Sequence, residues 1–397
     1  MIRVRALLRG LARPALSVLA GFVAGAIFIV VTDIEVIALV GRDPIRAFQL
    51  AGEHVGAAYL ALLEGAFGDP AKIQAAFSSG STTKIASALR PITETLVNAT
   101  PLIFTGLAIA VAFRTGVFNV GAEGQFILGG LGATIVAIIA FPIGIPAPLF
   151  AVVVVASGAF VGGVWGFIPG LLKARLGANE VITTIMLNYI ALQVIGLGLK
   201  WDAILPVGNT QPVSRDLENF VTIPRLLPML PSLRLSAGLL VALGAAVVVS
   251  WFLFRTTRGF ELRAAGLNKS AAPYSGIGAV SAVVTAMTIS GGLAGLGGAL
   301  HVVGTIGQMS LGISAGYGFT AIALALLGRT SPSGVVAAAL LFGALETGGA
   351  LMQIRTEIPK DLLQFIQALV IVFIAAPELV NRVFSNPLRR RKVDSHD

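Results

Sequence analysis

The sequence predicts an all-α membrane protein of about ten transmembrane helices, and three observations carry that expectation. Hydrophobic residues fill 56% of the 397 positions and charged residues only 12%, about half the charged share usual in a soluble domain. Several uncharged runs approach or exceed the roughly 20 residues that cross a bilayer as a helix. The 28 Lys and Arg residues outnumber the 19 Asp and Glu, for a net charge of +9. The basic ones gather in short segments between alternate runs, as the positive-inside rule requires of cytoplasmic loops.

The chain opens with "MIRVRALLRGLARPALSVLAGFVAGAIFIVV", basic and then apolar in the manner of a signal peptide. Its apolar run is too long for one and has no clear small-residue cleavage site, so it reads as a retained first span over 15–40. A long outer segment follows, 43–91, with the moderately amphipathic "DPIRAFQLAGEHVGAAYLALLEGAFG" and the polar "SSGSTTK". Spans at 92–113, 121–141, 147–172 and 180–199 come next. Pro142, Pro146 and Pro148 turn the chain between the third and fourth spans, because proline cannot continue a helix. Residues 200–235 form a second long outer segment, which either packs over the outer face or docks an extracytoplasmic partner. After a span at 236–254 comes the inner loop "RTTRGFELRAAGLNKSAAPYSGI", 255–277. It reads as one or two short helices, with Gly266 at a left-handed helix stop and Asn268 capping the second.

The 59 residues from 270 to 328 contain no Asp, Glu, Lys or Arg at all, only His301. That is too long for one span. It reads as a helix over 274–303, a broken or re-entrant stretch near 304–316 and a short helix over 317–328. Non-helical backbone at such depth survives only where protein or a water-filled cavity surrounds it. Ser331 before Pro332 reads as an N-cap with proline at the first helical position. Spans at 332–353 and 361–379 complete the set. The domain organisation expected is thus 1–90, a first helix plus a long periplasmic segment; 91–380, a core carrying the 255–277 loop; and 381–397, a basic cytoplasmic tail.

With both termini cytoplasmic, 17 of the 28 basic residues fall on the cytoplasmic side. Topology and contact with anionic membrane lipid account for this excess, so no nucleic-acid partner is expected. The absence of cysteine excludes disulfides, thiolate metal sites and a Cys nucleophile. None of the seven lysines follows a glycine, so there is no phosphate loop; any ATP must be bound by another chain. An ion gradient would instead need carboxylates within the spans. Only Glu346 lies well inside one, whereas Glu94, Glu123 and Glu180 lie near span ends. Thr184 and Asn188, four apart on one helical face, either bond between helices or line a polar route. His301 reads as a packing residue, and "SGGLAGLGGALHVVG" as a small-residue packing face. No nucleophile–base pair or phosphate-cradling loop emerges, so the residues give an enzyme reading no support.

Four phrases taken together resemble the membrane permeases of ABC importers related to the ribose and branched-chain amino-acid systems. They are "PLIFTGLAIAVAFRTGVFNVGAEGQFILGG" (101–130), "GANEVITTIMLNYIAL" (177–192), "ELRAAGLNKSAAPYSGI" (261–277) and "GYGFTAIALALLGRTSPSG" (316–334). The chain looks most similar to the nucleoside and simple-sugar branch that works with a PnrA/BMP-type binding lipoprotein. The resemblance implies an inner-membrane, multi-pass permease for nucleosides. A permease for a simple sugar such as ribose or galactose is the alternative within the class, and an ion-coupled secondary transporter the alternative outside it. The implied partners are an ABC ATPase subunit holding ATP and Mg, a second related permease and the extracytoplasmic lipoprotein, with no cofactor on this chain. The resemblance makes Glu261, Leu262, Arg263, Gly266, Asn268, Ala271, Ala272, Gly276 and Ile277 the segment that couples to the ATPase. Asn119, Glu123 and Gln125 are expected to line or gate the substrate route with Asn188 opposite. Phe118, Phe126, Tyr189 and Phe319 are candidates to stack on a flat base.

Overall fold

Helix follows the uncharged runs. A computed structural model describes residues 2–141, 144–208, 210–268, 272–359 and 361–375. Lys269, Ala271, the end of the last expected span and the tail 381–397 lie outside the described residues. In chain order the helices are α1 (Ile2–Thr32), α2 (Ile34–Val40), α3 (Pro44–Phe67), α4 (Pro70–Ser79), α5 (Thr82–Arg114), α6 (Ala122–Ile139) and α7 (Ala147–Leu176). There follow α8 (Glu180–Gly198), α9 (Gly238–Arg255), α10 (Thr257–Leu267), α11 (Ala279–His301), α12 (Tyr317–Leu327), α13 (Pro332–Thr356) and α14 (Asp361–Ala375). Among the described residues there is no β-strand, only the isolated bridges Val213–Ser310 and Arg225–Ser236.

Several ends obey local capping chemistry. The Asn179 side chain accepts the Val181 N–H at 3.0 Å and starts α8. Ser331 Oγ accepts the Gly334 N–H at 3.2 Å and starts α13 at Pro332, as its sequence suggests. Each such bond satisfies one of the donors a helix start leaves open.

Among the described residues, seven helices are long and apolar enough to cross a membrane: α5 to α9, α11 with its continuation to Ile306, and α13. The first expected span differs from a straight rod. Asp33 caps α2, accepting the Glu35 N–H at 2.9 Å, and α1 and α2 meet at 71°. This pair makes an eighth crossing if it counts as one span. α12 has 11 residues, about 16 Å or half a bilayer core. The segment 43–91, expected as an outer stretch with one amphipathic part, is nearly all helix. In it α5 begins ten residues ahead of the expected span and runs for 33 residues, about 50 Å.

The chain forms two compact units. Of the described residues, one comprises those to Phe67 and those from Leu345 to Ala375. In it Tyr59 Oη donates to the Phe22 carbonyl, Arg355 pairs with Glu64, and the Phe28 and Phe365 rings stand 4.9 Å apart.

The other unit, Gly68–Ala344, is built on backbone-to-backbone contact of α6, α7 and α11. A Cβ on Gly162 would stand 2.4 Å from the Gly291 carbonyl oxygen, and one on Gly129 2.2 Å from the Gly295 Cα. The run Gly158–Gly162–Gly166 faces Gly291 and Gly295, so small residues let the helices meet where lipid offers no hydrophobic driving force. Trp165 and Val161 pack around this seam with the apolar core of α6 and α8. α11 then passes into a π-helical turn, Val302–Ile306, and an irregular stretch up to the left-handed Gly316 (φ 83°) that starts α12. The expected break near 304–316 is thus present, enclosed on one side by the 213–217 segment through Ser214 N–H to Met309 O (2.9 Å) and Leu217 N–H to Gly307 O (2.8 Å).

Candidate functional site

α5 ends at Arg114 and α6 begins at Ala122, so seven residues cross from one helix to the next inside the bundle. Their backbone groups need partners there, and the polar side chains supply them. Asn119 Oδ1 accepts the Gly121 N–H at 3.0 Å, closing the turn on itself. Its amide also pairs with that of Gln125 (Nδ2 to Oε1 2.8 Å, Nε2 to Oδ1 3.2 Å) and donates to Ser290 Oγ at 2.8 Å. Ser290 in turn donates to the Ala108 carbonyl at 2.6 Å. From α8, Asn188 accepts the Gly124 N–H and donates to the Val120 carbonyl, both at 2.9 Å. From the other side Glu123 Oε2 accepts the Gly318 N–H at 2.7 Å, at the positive start of α12. A Cβ on Gly318 would stand 2.2 Å from the Glu123 nitrogen, so only glycine admits this approach. The result is a polar knot joining α5, α6, α8, α11 and α12.

Burial sorts the pathway candidates. Asn119, Gln125 and Phe126 are fully buried, and Asn188 and Glu123 nearly so. Phe126 packs edge-on against Tyr317 (5.7 Å), lies 5.8 Å from the His301 ring and is buried in this structure. Phe118 stacks on Phe113 at 4.6 Å yet stays partly exposed, and Tyr189 and Phe319 are exposed. The knot therefore gathers Asn119, Glu123, Gln125 and Asn188, while the four aromatic residues do not form one cluster.

The 255–277 segment is a displayed helix. Thr256 Oγ1 accepts the Gly259 N–H at 3.0 Å and starts α10. Leu262 and Ala265 pack with Ala272, Ala282 and Ala286 beside Phe252 and Ile277. Phe260, Leu267 and Tyr274 are left exposed, and Glu261 pairs with Arg258 at 2.9 Å. Arg263 Nε donates to the Leu253 carbonyl at 2.9 Å, with its guanidinium 5.2 Å from the Phe254 ring. It anchors α10 to α9.

Two expectations change. Gly266 is not a left-handed stop: it lies within α10, and a Cβ there would stand 2.3 Å from the Arg114 carbonyl oxygen and 2.9 Å from the Gly116 nitrogen. The left-handed residue is Gly276 (φ 75°). Asn268 ends α10, and its carbonyl accepts the Ala272 N–H at 3.1 Å, leading into the 3-10 turn Ala272–Ser275. Gly266 thus sets α10 directly on the 114–116 turn that leads into the knot.

Arg114, read from sequence as a topology charge, belongs to this seat. Its Nε donates to the Thr330 carbonyl at 3.1 Å, and its guanidinium, like that of Arg263, lies beside the Phe254 ring, 5.3 Å from the ring centre. Ser290 was likewise missed. A serine within an uncharged run was the available signal, but its partners lie 171 and 182 residues away.

Glycine-seamed helices long and apolar enough to cross a membrane, a polar knot at the break before α12 and a short displayed helix fit a multi-pass membrane transport component. The chain belongs to the family described as the branched-chain amino acid transport system permease component, which matches residues 92–375. Such ABC permeases work with an ATPase and a solute-binding protein. The guanosine ABC transporter permease protein NupP of Bacillus subtilis is 35% identical over 91% of this chain and 92% of its own length. The nucleoside ABC transporter permease protein NupB of Lactococcus lactis subsp. cremoris is 37% identical over 73% of this chain and 80% of its own. The glucose ABC transporter permease protein TsgB13 of Haloferax volcanii is 36% identical, with coverages of 73% and 77%. No solved structure matches the chain.

Proposed function

We propose that this chain is the permease subunit of an ATP-driven importer that carries nucleosides across the inner membrane. On this reading both termini are cytoplasmic and the chain makes ten crossings, with α12 and the π-turn meeting as a broken pair. α10 inserts into an ATPase subunit that holds ATP and Mg, a second related permease completes the pathway, and an extracytoplasmic lipoprotein delivers the solute. The observation that carries it is the Gly266 seat: backbone touches backbone between α10 and the 114–116 turn. A push on α10 then passes by backbone contact into the 114–116 turn, and from there through the side-chain bonds of the knot to α5, α6, α8, α11 and α12. Asn119, Gln125 and Asn188 act as the rigid part of that linkage, and Glu123 is its mobile contact to α12. Phe118, Tyr189 and Phe319 offer apolar rings to the route.

The guanosine relative, matched along nearly its whole length, favours a nucleoside. The glucose relative supports a simple sugar as second reading. Proteoliposomes holding the permeases, the ATPase and the lipoprotein decide between them: ATP-dependent uptake of labelled inosine or guanosine, with no uptake of glucose or ribose, is the expected result. Accumulation of solute by the permease without the ATPase would refute the reading.

A further inference from the structure

A cavity of about 560 Å³ lies beside the π-turn Val302–Ile306, walled on its other side by the 218–234 segment. It stands at the far end of α11 from α10, since α10 packs on Ala282 and Ala286 near the start of that helix. The 23 residues of α11 separate the two by about 34 Å, the thickness of a bilayer core. Its size is that of sites for small solutes, roughly 300–1,000 Å³.

The lining has a definite chemistry. Arg225 and Glu218 form a loose pair at 3.7 Å, both substantially exposed; Arg225 Nη1 also donates to the Pro231 carbonyl, so the open capacity lies with the Glu218 carboxylate and the remaining guanidinium N–H groups. Arg234 is held by Glu94 through Nε (3.2 Å) and Nη2 (2.6 Å). Two guanidinium groups against two carboxylates leave no net formal charge, which disfavours an ion of either sign. Pro224 and Pro231 give a stiff apolar wall. The π-turn contributes the end of a helix, whose last carbonyls lack intrahelical partners and accept hydrogen bonds.

We propose that this cavity is an acceptance subsite for a neutral solute that combines hydroxyl groups with a planar ring. On the reading given above, that solute is the nucleoside, received here before the helices open. Its sugar hydroxyls donate to Glu218 and the π-turn carbonyls, and its ring lies on the proline wall with an edge toward the planar Arg225 fork.

The chain contains no cysteine, so Thr222→Cys on one wall, or Thr305→Cys on the other, places a single thiol in the cavity. The test measures thiol labelling by a methanethiosulfonate reagent in the permease–ATPase complex in nanodiscs, with inosine as probe. Inosine slows labelling roughly tenfold at ten times its half-protecting concentration. Glu218→Gln or Arg225→Ala, added to either thiol variant, raises that concentration about tenfold through loss of a charge-assisted bond. If inosine protects neither thiol while the full system imports inosine, the subsite is refuted and the transport reading stands. If the lipoprotein alone protects without solute, the cavity is a docking face and the proposal also fails. If the full system imports no nucleoside and glucose protects instead, the nucleoside reading falls with it.

Discussion

Gly266→Ala is the sharpest perturbation of the seat between α10 and the 114–116 turn. The added Cβ would lie 2.3 Å from the Arg114 carbonyl oxygen, 2.8 Å from the Thr115 carbonyl carbon and 2.9 Å from the Gly116 nitrogen. An ordinary contact is about 3.5 Å, so the helix or the turn must retreat by about 1 Å. All three neighbours are backbone atoms and none can rotate away. Overpacking of this kind costs about 1–3 kcal/mol. If the seat closes fully in only one of the alternating states, that energy shifts their balance by about tenfold for every 1.4 kcal/mol. The assay compares lipoprotein-stimulated ATP hydrolysis with solute uptake in the same proteoliposomes. Gly266→Ala is expected to keep ATPase binding, because the exposed Phe260, Leu267 and Tyr274 are unchanged, while uptake per ATP falls about tenfold. Gly244→Ala is the control: nothing lies within 4 Å of its Cβ in α9, and its helix propensity improves by about 1 kcal/mol. Native uptake per ATP in Gly266→Ala would refute transmission through this contact.

Three further outcomes follow from the same geometry. Asn188→Leu keeps side-chain volume but strips one bond to α6 and one to the crossing that precedes it; at the roughly 0.6–1.7 kcal/mol measured per bond in membranes, it lowers stability by about 1–3 kcal/mol, and an unchanged melting temperature in detergent would contradict the knot. Glu123→Gln retains an oxygen to accept the Gly318 N–H but loses the charge at the start of α12, a change worth about 0.3–2 kcal/mol; the fold should survive and uptake slow several-fold, whereas unchanged uptake removes Glu123 from the moving contact. Gly162→Leu drives a branched side chain into the Gly291 backbone and is expected to abolish folded protein, as read by size-exclusion profile; a native profile would refute the α7–α11 seam.

Local chemistry made much of this architecture legible. The start of α13 at Pro332 followed from Ser331 and proline stereochemistry. The break before α12 followed from a charge-free stretch too long for one helix. The charged loop before α11 was readable as one or two short helices, although the markers read there, Gly266 as a stop and Asn268 as a cap, play other parts in the structure. Even the concentration of Asn119, Glu123 and Gln125 announced that something interrupts the apolar bundle there.

What those polar groups do was decided elsewhere in the chain. That Asn119 bonds Ser290, 171 residues on, as well as Gln125 could not be read from the 114–130 stretch. Gly266 looked like a helix stop because its freedom to turn left-handed is visible locally. Its actual role comes from the Arg114–Gly116 backbone, which no neighbouring residue encodes. The 71° bend at Asp33 was hidden in the same way, since a capping residue inside an apolar run does not say which way the chain leaves. Sequence alone determined which segments are helical and where polar groups interrupt lipid-facing chain, because hydrophobicity, charge and capping act over a few residues. Only the tertiary structure decided which of those groups are satisfied by packing and which remain open to a solute, because hydrogen-bond partners and close backbone approach depend on helices brought together across the whole fold.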